Sequence, residues 1–263
     1  TFELFGLSVA SVSLLKNVLL FICTLFYWLA ARMLMDDRRL PLVAMLGVLA
    51  VPSVTVLAQR DLTHAVANLC LVSIFLCVFI RTLKNGSLLN YVLLGVTVGF
   101  GAITKYNFVI IPLAAALAVL SEETFRRRLF DWLVAGAVAA AITLPHFIWV
   151  LMHLDAATTG TVEAMRAGSS GDALRDTIRG QISILISTLK GGLPVILLFG
   201  LVFFRQIGAA WRAETPWTRV IGRMIVACLV IVALIGIGRF YQKALLGLAK
   251  QETAAEPQAE AQA

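Results

Sequence analysis

Solid apolar runs alternate with short polar breaks along this chain. The apolar segments fall at about residues 11–33, 40–58, 64–83, 89–104, 107–120, 131–152, 181–204 and 219–238. Each is continuous in Leu, Val, Ile, Ala and Phe and has no polar position at every second residue. That alternation marks a half-buried strand, and an outer-membrane barrel repeats it. Continuous apolar runs of roughly 20 residues read instead as helices that cross a bilayer. The pattern predicts an all-α, polytopic transmembrane helical bundle of about eight spans. The fourth and fifth segments are short for spans, and the break at Lys105, Tyr106 and Asn107 separates them.

Composition excludes the soluble alternative. Of the 263 residues, 60% are hydrophobic and 14% charged, and the mean hydropathy is +0.90. A soluble domain carries about 25% charged residues. The net charge of +7 does not indicate nucleic acid, because the basic residues lie in short loops, as topology signals do. Alternate loops hold Arg32, Arg38 and Arg39; Arg81 and Lys84; Arg126, Arg127 and Arg128; and Arg205, Arg212, Arg219 and Arg223. The intervening loops are poorer in charge, with Arg60, then Lys105, then Arg166, Arg175 and Arg179 in the longest. The positive-inside rule makes the first set cytoplasmic. The expected location is a bacterial inner (plasma) membrane, crossed many times.

Residues 1–250 are expected to form the transmembrane helical domain, and the polar tail 251–263, "QETAAEPQAEAQA", to be disordered. Within the first region, 239–250 ("RFYQKALLGLAK") fits an interfacial helix. The chain opens on Thr1, on the outer side, without a basic region, an apolar core and a cleavage site. An upstream helix and a first outer loop are therefore expected beyond it. Cys23, Cys70, Cys77 and Cys228 sit inside apolar runs with no metal-ligand spacing and read as small buried hydrophobes.

With orientation set, the remaining polar residues converge. Asp61 and His64 lie in the outer break "VLAQRDLTHAVANL", residues 56–69. Lys105 lies at the outer end of the fourth segment in "GAITKYNF", and His146 near the outer end of the sixth in "TLPHFIWVLMHLD". His153 and Asp155 follow at its mouth. An ionisable group costs roughly 2.5–3.5 kcal/mol at a helix centre, less toward the interface, and persists where it faces a cavity or a partner. Plainer readings stand beside this one. Asp61 suits a helix N-cap, Lys105 suits snorkelling to headgroups, and His146 suits a satisfied polar residue at a Pro-bent helix. Gly95, Gly99 and Gly101 suit close helix packing. They are not a dinucleotide fingerprint, since no strand–turn–helix surrounds them.

The run "QRDLTHAV … YVLLGVTVGFGAITKYNFVIIPLAAALAVL … LPHFIWVLMH" resembles bacterial glycosyltransferase family 39, over roughly residues 3–155. This group belongs to the superfamily of polytopic, GT-C-type transferases that use lipid-linked sugars. It includes protein mannosyltransferases and the aminoarabinose transferase of lipid A. The resemblance implies a donor sugar on polyprenyl phosphate and an acceptor that is a lipid, a glycan of the cell envelope or a protein. It implies no nucleotide cofactor. Asp61 matches the family's second outer acidic position, which assists catalysis, often through a divalent metal. Lys105 matches the basic residue that holds the lipid phosphate. Arg60 and His146 are further candidates for phosphate binding, and His64 for proton shuttling or metal ligation, by their side and spacing. Two other classes fit the same chain. A transporter or flippase component also carries charge at depth, though usually at the midplane with inverted repeats. An inactive, truncated remnant of the enzyme is the other.

Overall fold

A computed structural model describes residues 9–35, 37–51, 54, 64–154 and 215–232, position 234, and scattered positions between 182 and 212. The described elements are helical, and no strand occurs among the described residues. Helices are what apolar sequence in lipid requires, because each backbone N–H and C=O finds its partner within the segment.

Helix α1 (Val9–Leu34) is followed by a short turn in which the Arg39 N–H donates to Asp37 Oδ1 at 2.7 Å. Pro41 then sits in the first turn of α2 (Leu40–Leu49), where its missing N–H costs nothing. The segment expected over 40–58 ends as an α-helix at Leu49. Helix α3 (His64–Lys84) runs parallel to α1. The Cys23 thiol meets the Leu69 carbonyl at 3.7 Å, Ala30 packs with Cys77 and Ile80, and the Lys84 ammonium reaches the Met33 carbonyl. Cys23, Cys70 and Cys77 are buried and unpaired, as their apolar settings predict.

Helix α4 (Leu88–Thr104) turns back along α3. At Lys105 the backbone becomes extended, with φ −158° and ψ 124°, and a short 3-10 turn (Tyr106–Val109) leads into α5 (Ile110–Leu120). The short helix α6 (Glu123–Arg126) precedes α7 (Leu129–Met152), which continues through Pro145. Residues 216–232 form a further helix, α8. Among the described residues, three helices are long and apolar enough to cross a membrane: Ala10–Leu34, His64–Lys84 and Leu129–Met152. The helices Leu88–Thr104 and Tyr106–Leu120 are shorter, as their sequence segments indicated. The 239–250 segment and the 251–263 tail lie outside the described residues, and the 181–204 segment is described only at scattered positions.

Helices α4 and α7 run parallel at close range. A Cβ added to Gly95 would lie 2.4 Å from the Ala135 carbonyl oxygen and 2.8 Å from Val138 Cβ. One added to Gly99 would lie 2.8 Å from Ile142 Cβ. Four residues separate these glycines, so they share a helix face. In lipid there is no hydrophobic drive between helices, and such small residues let two backbones approach. Gly101 makes room on another side for the Phe108 ring. A row of aromatic rings threads the interior beside this seam. Tyr91 meets Trp132 edge-on at 5.0 Å, Trp132 meets Phe79 at 6.2 Å, Phe79 stacks on Phe75 at 5.5 Å, and Phe75 meets Phe108 edge-on at 6.1 Å. Apolar side chains such as Phe130, Leu133 and Leu151 point outward, where lipid solvates them.

The bundle has two unlike ends. Lys84, Arg128, Arg219 and Arg223 gather at one, the arginine end. Arg128 donates to the Gly86 carbonyl at 3.1 Å, and Lys84 lies 4.7 Å from the centre of the Trp217 ring. Here buried Glu122 accepts a bidentate pair from Arg219, Nη2 at 2.7 Å and Nε at 3.1 Å. Arg223 Nη1 donates to the same carboxylate at 3.3 Å and to Ser121 O and Oγ at 2.9 Å. This network pins α8 to the α5–α6 turn, while Val220 and Met224 enter the core. The Arg219 hydrogen bonds, opposed by burial, hold the Glu122 carboxyl below the ordinary carboxylate range.

Two outcomes follow. Gly95→Ala is expected to destabilise the protein by about 1–3 kcal/mol, as overpacking does, because the new methyl group meets backbone rather than a flexible side chain. Thermal unfolding in detergent measures it, and an unchanged midpoint would contradict the seam. The Glu122 contribution is complete above the carboxyl's unfolded pKa and is lost as pH falls through its lower folded value. Glu122→Gln should thus flatten the acid side of the plot of unfolding temperature against pH; equal slopes for the two proteins would refute it.

Candidate active site at the Lys105 end

The parallel run of α4 and α7 has a direct consequence at the other end of the bundle. Gly86 lies beside Arg128, Gly95 beside Val138 and Gly99 beside Ile142, so Tyr106 comes level with His146. The Tyr106 hydroxyl and His146 Nε2 are 3.3 Å apart and share a hydrogen bond whose direction follows the imidazole tautomer. The two rings lie 6.2 Å apart with their planes tilted by 33°. Tyr106 is exposed and His146 half-buried.

Lys105 immediately precedes this pair, at the extended residue between α4 and the 3-10 turn. Its backbone is held, since its N–H donates to Gly101 O at 3.1 Å and its carbonyl accepts from Phe108 N–H at 2.9 Å. Its side chain is exposed. The break therefore fixes where the lysine stands and leaves its ammonium group available. Two turns beyond His146, the His153 ring stacks on Trp149 at 5.1 Å, and its Nδ1 lies 3.0 Å from the Trp149 carbonyl oxygen. His64 opens α3 at this same end and is exposed. Among the described residues it makes no hydrogen bond or ion pair with Lys105 or His146.

Of the residues singled out from sequence, then, Lys105, His64, His146 and His153 share one end, and a described bond joins His146 to Tyr106. Arg60, Asp61 and Asp155 lie outside the described residues. Tyr106 was missed. It sits beside Lys105 in "TKYNF", but only the register of α4 against α7 makes it the partner of a histidine 40 residues away. Trp132, near the start of α7, packs inward against Phe79 and Tyr91. No three His, Cys, Asp or Glu side chains form a metal-ligand set among the described residues, and Asp61, the candidate ligand, is not among these.

Chemically, this end offers an exposed cation, a tyrosine–histidine hydrogen bond and a half-buried imidazole at the edge of an apolar bundle. Such groups suit a ligand with a negatively charged head and a greasy tail.

The family model described as dolichyl-phosphate-mannose-protein mannosyltransferase matches residues 1–149. The chain belongs to that family. The matched stretch of this mannosyltransferase family contains His64, Lys105, Tyr106 and His146. Among curated proteins, the lipopolysaccharide core galacturonosyltransferase RgtB of Rhizobium johnstonii is 39% identical over 236 residues, covering 89% of this chain and 48% of RgtB. The lipopolysaccharide core galacturonosyltransferase RgtA of the same organism is 38% identical over 232 residues, covering 88% of this chain and 46% of RgtA. The chain thus spans about half the length of the curated relatives it matches. No solved structure matches it.

The Tyr106–His146 bond has its own check. Tyr106→Phe should shift the imidazole ¹⁵N resonance of His146 and leave that of His153, which bonds within its own helix. If the His146 signal stays in place, the two side chains do not meet.

Proposed function

We propose that this protein is an integral-membrane glycosyltransferase that moves galacturonic acid from polyprenyl phosphate to a lipopolysaccharide core glycan. The reaction is placed at the outer face of the bacterial inner membrane and needs no nucleotide. The observation that carries this reading is the likeness, across most of the chain, to two lipopolysaccharide core galacturonosyltransferases. The gathering of Lys105, Tyr106 and His146 at one end supports it. So does the collection of Arg128, Lys84, Arg219 and Arg223 at the other, which by the positive-inside rule turns the lysine end outward.

In this reading, an acceptor hydroxyl attacks C1 of the donor sugar. The bond from C1 to the phosphate oxygen breaks, and its electron pair leaves with the polyprenyl phosphate. The hydroxyl proton passes to a base within hydrogen-bond reach, and Asp61 assists as the second outer acidic position. His64 would carry that proton onward. Negative charge grows on the phosphate as it departs, so a cation placed there lowers the barrier. Lys105 supplies it, with Arg60 as a second cation for the uronate carboxylate. His146, oriented by Tyr106, contributes a hydrogen bond to the same head group. A divalent metal at Asp61 would add positive charge at the phosphate, through the hard oxygen ligands such ions prefer. The polyprenyl tail stays in lipid, which is why the site belongs at headgroup depth.

In the full-length protein, Lys105→Ala and Asp61→Asn should each lower galacturonosyl transfer from a polyprenyl-phosphate donor by roughly 10²–10³-fold. That is the usual effect of removing one group that stabilises developing charge. Membrane insertion should be intact. Normal transfer by both variants would reject the site, and transfer from a nucleotide sugar alone would reject the lipid donor.

A further inference from the structure

Away from the lysine end, α5 and α7 both pack on neighbouring helices but scarcely on each other. Between them lies an apolar crevice of about 260 Å³. Its walls include Ala115 and Ala116 of α5 and Trp132 and Gly136 of α7, and Phe79 of α3 also lines it. Gly136 differs from the glycines of the α4–α7 seam, since a Cβ added there would meet nothing within 4 Å. It borders open space rather than bringing a partner close. Trp132 leaves its buried indole N–H without a hydrogen-bond acceptor.

Arg126 also lines the crevice and is exposed. Among the described residues its guanidinium makes no ion pair, whereas Arg127 is held by Glu123 at 2.8 Å and Arg128 by the Gly86 carbonyl at 3.1 Å. The crevice extends along α5 from Leu120 to Pro112. At 1.5 Å per residue that is about 12 Å, which fits within one leaflet of a ~30 Å hydrocarbon core. An apolar slot one leaflet deep, with a spare guanidinium at its rim, matches a molecule with a hydrocarbon chain and an anionic head. A soluble anion gains nothing from the apolar walls, and an uncharged lipid gains nothing from Arg126.

We infer that the α5–α7 crevice is a binding site for one acyl chain of an anionic phospholipid from the leaflet at the arginine end, with its phosphate at Arg126. The site is separate from Lys105 and does not rest on the proposed transferase reaction.

The test uses full-length protein in phosphatidylcholine vesicles. These contain either brominated-chain phosphatidylglycerol or brominated-chain phosphatidylcholine at equal mole fraction. Bromine quenches tryptophan on contact, and comparison with Trp132→Phe isolates the Trp132 signal. Phosphatidylglycerol is expected to quench it at about fivefold lower mole fraction, the factor that one basic residue near an anionic membrane surface contributes. Arg126→Gln should reduce that preference to the phosphatidylcholine level. Gly136→Leu should fill the slot and protect Trp132 from both lipids, with far-UV circular dichroism confirming that both variants remain folded. Equal quenching by the two lipids, a preference that survives Arg126→Gln, or no quenching of Trp132 at all would each overturn the assignment.

Discussion

The structure depends on how closely α4 approaches α7. Helices in lipid gain nothing from burying apolar surface against one another, since the tails around them are equally apolar. What holds them is short-range packing, which is sensitive to fractions of an ångström. Gly95 and Gly99 bring the α4 backbone against Ala135, Val138 and Ile142, leaving no space for even a methyl group. Because α5 carries the chain back across the bundle, α4 and α7 point the same way, and their ends coincide. The Tyr106–His146 contact is a result of that register. A shift by one helical turn would move the two side chains about 5 Å apart along the axis.

The ends of the bundle solve opposite problems. At the arginine end, the charge on Glu122 is paired. Glu122 is buried and receives hydrogen bonds from two arginines, and this ties α8 to the rest of the described helices. Such a carboxylate would be costly to bury alone, so each partner protects the others. At the lysine end, Lys105 and Tyr106 are exposed, and His146 has one neutral partner. That end has the capacity to take up an anionic head group, and the closed Glu122–Arg219–Arg223 network does not. The rigid network and the glycine seam hold still what the open end presents. Membership of the mannosyltransferase family agrees with this division, since the matched stretch includes both the seam and the open end.

Much of this organisation was legible in the sequence. Runs of apolar residues without alternation mean helices wherever water is absent. Loop arginines in breaks such as "RMLMDDRR" separate one side from the other; here Arg32, Arg38 and Arg39 belong with Arg81 and Arg126. The glycine spacing in "GVTVGFG" correctly indicated close packing, because only absent side chains let helices touch in lipid. Three of the four cysteines, Cys23, Cys70 and Cys77, are buried as their apolar settings suggest, whereas Cys228 is half-buried.

Other features belong to the tertiary structure alone. Nothing local distinguishes Tyr106 from an ordinary interfacial aromatic, or Glu122 from its exposed neighbour Glu123. Tyr106 acquires a histidine across 40 positions of chain, and Glu122 an arginine across 97. The same holds for Gly136, which borders open space at a crevice, whereas Gly95 closes a seam. Sequence determined which stretches are helical, which loops share a side and which residues carry charge, because these follow from short-range chemistry and transfer energy. Tertiary structure decided which charges are satisfied and which stay open, because pairing depends on the register and direction of helices far apart in the chain.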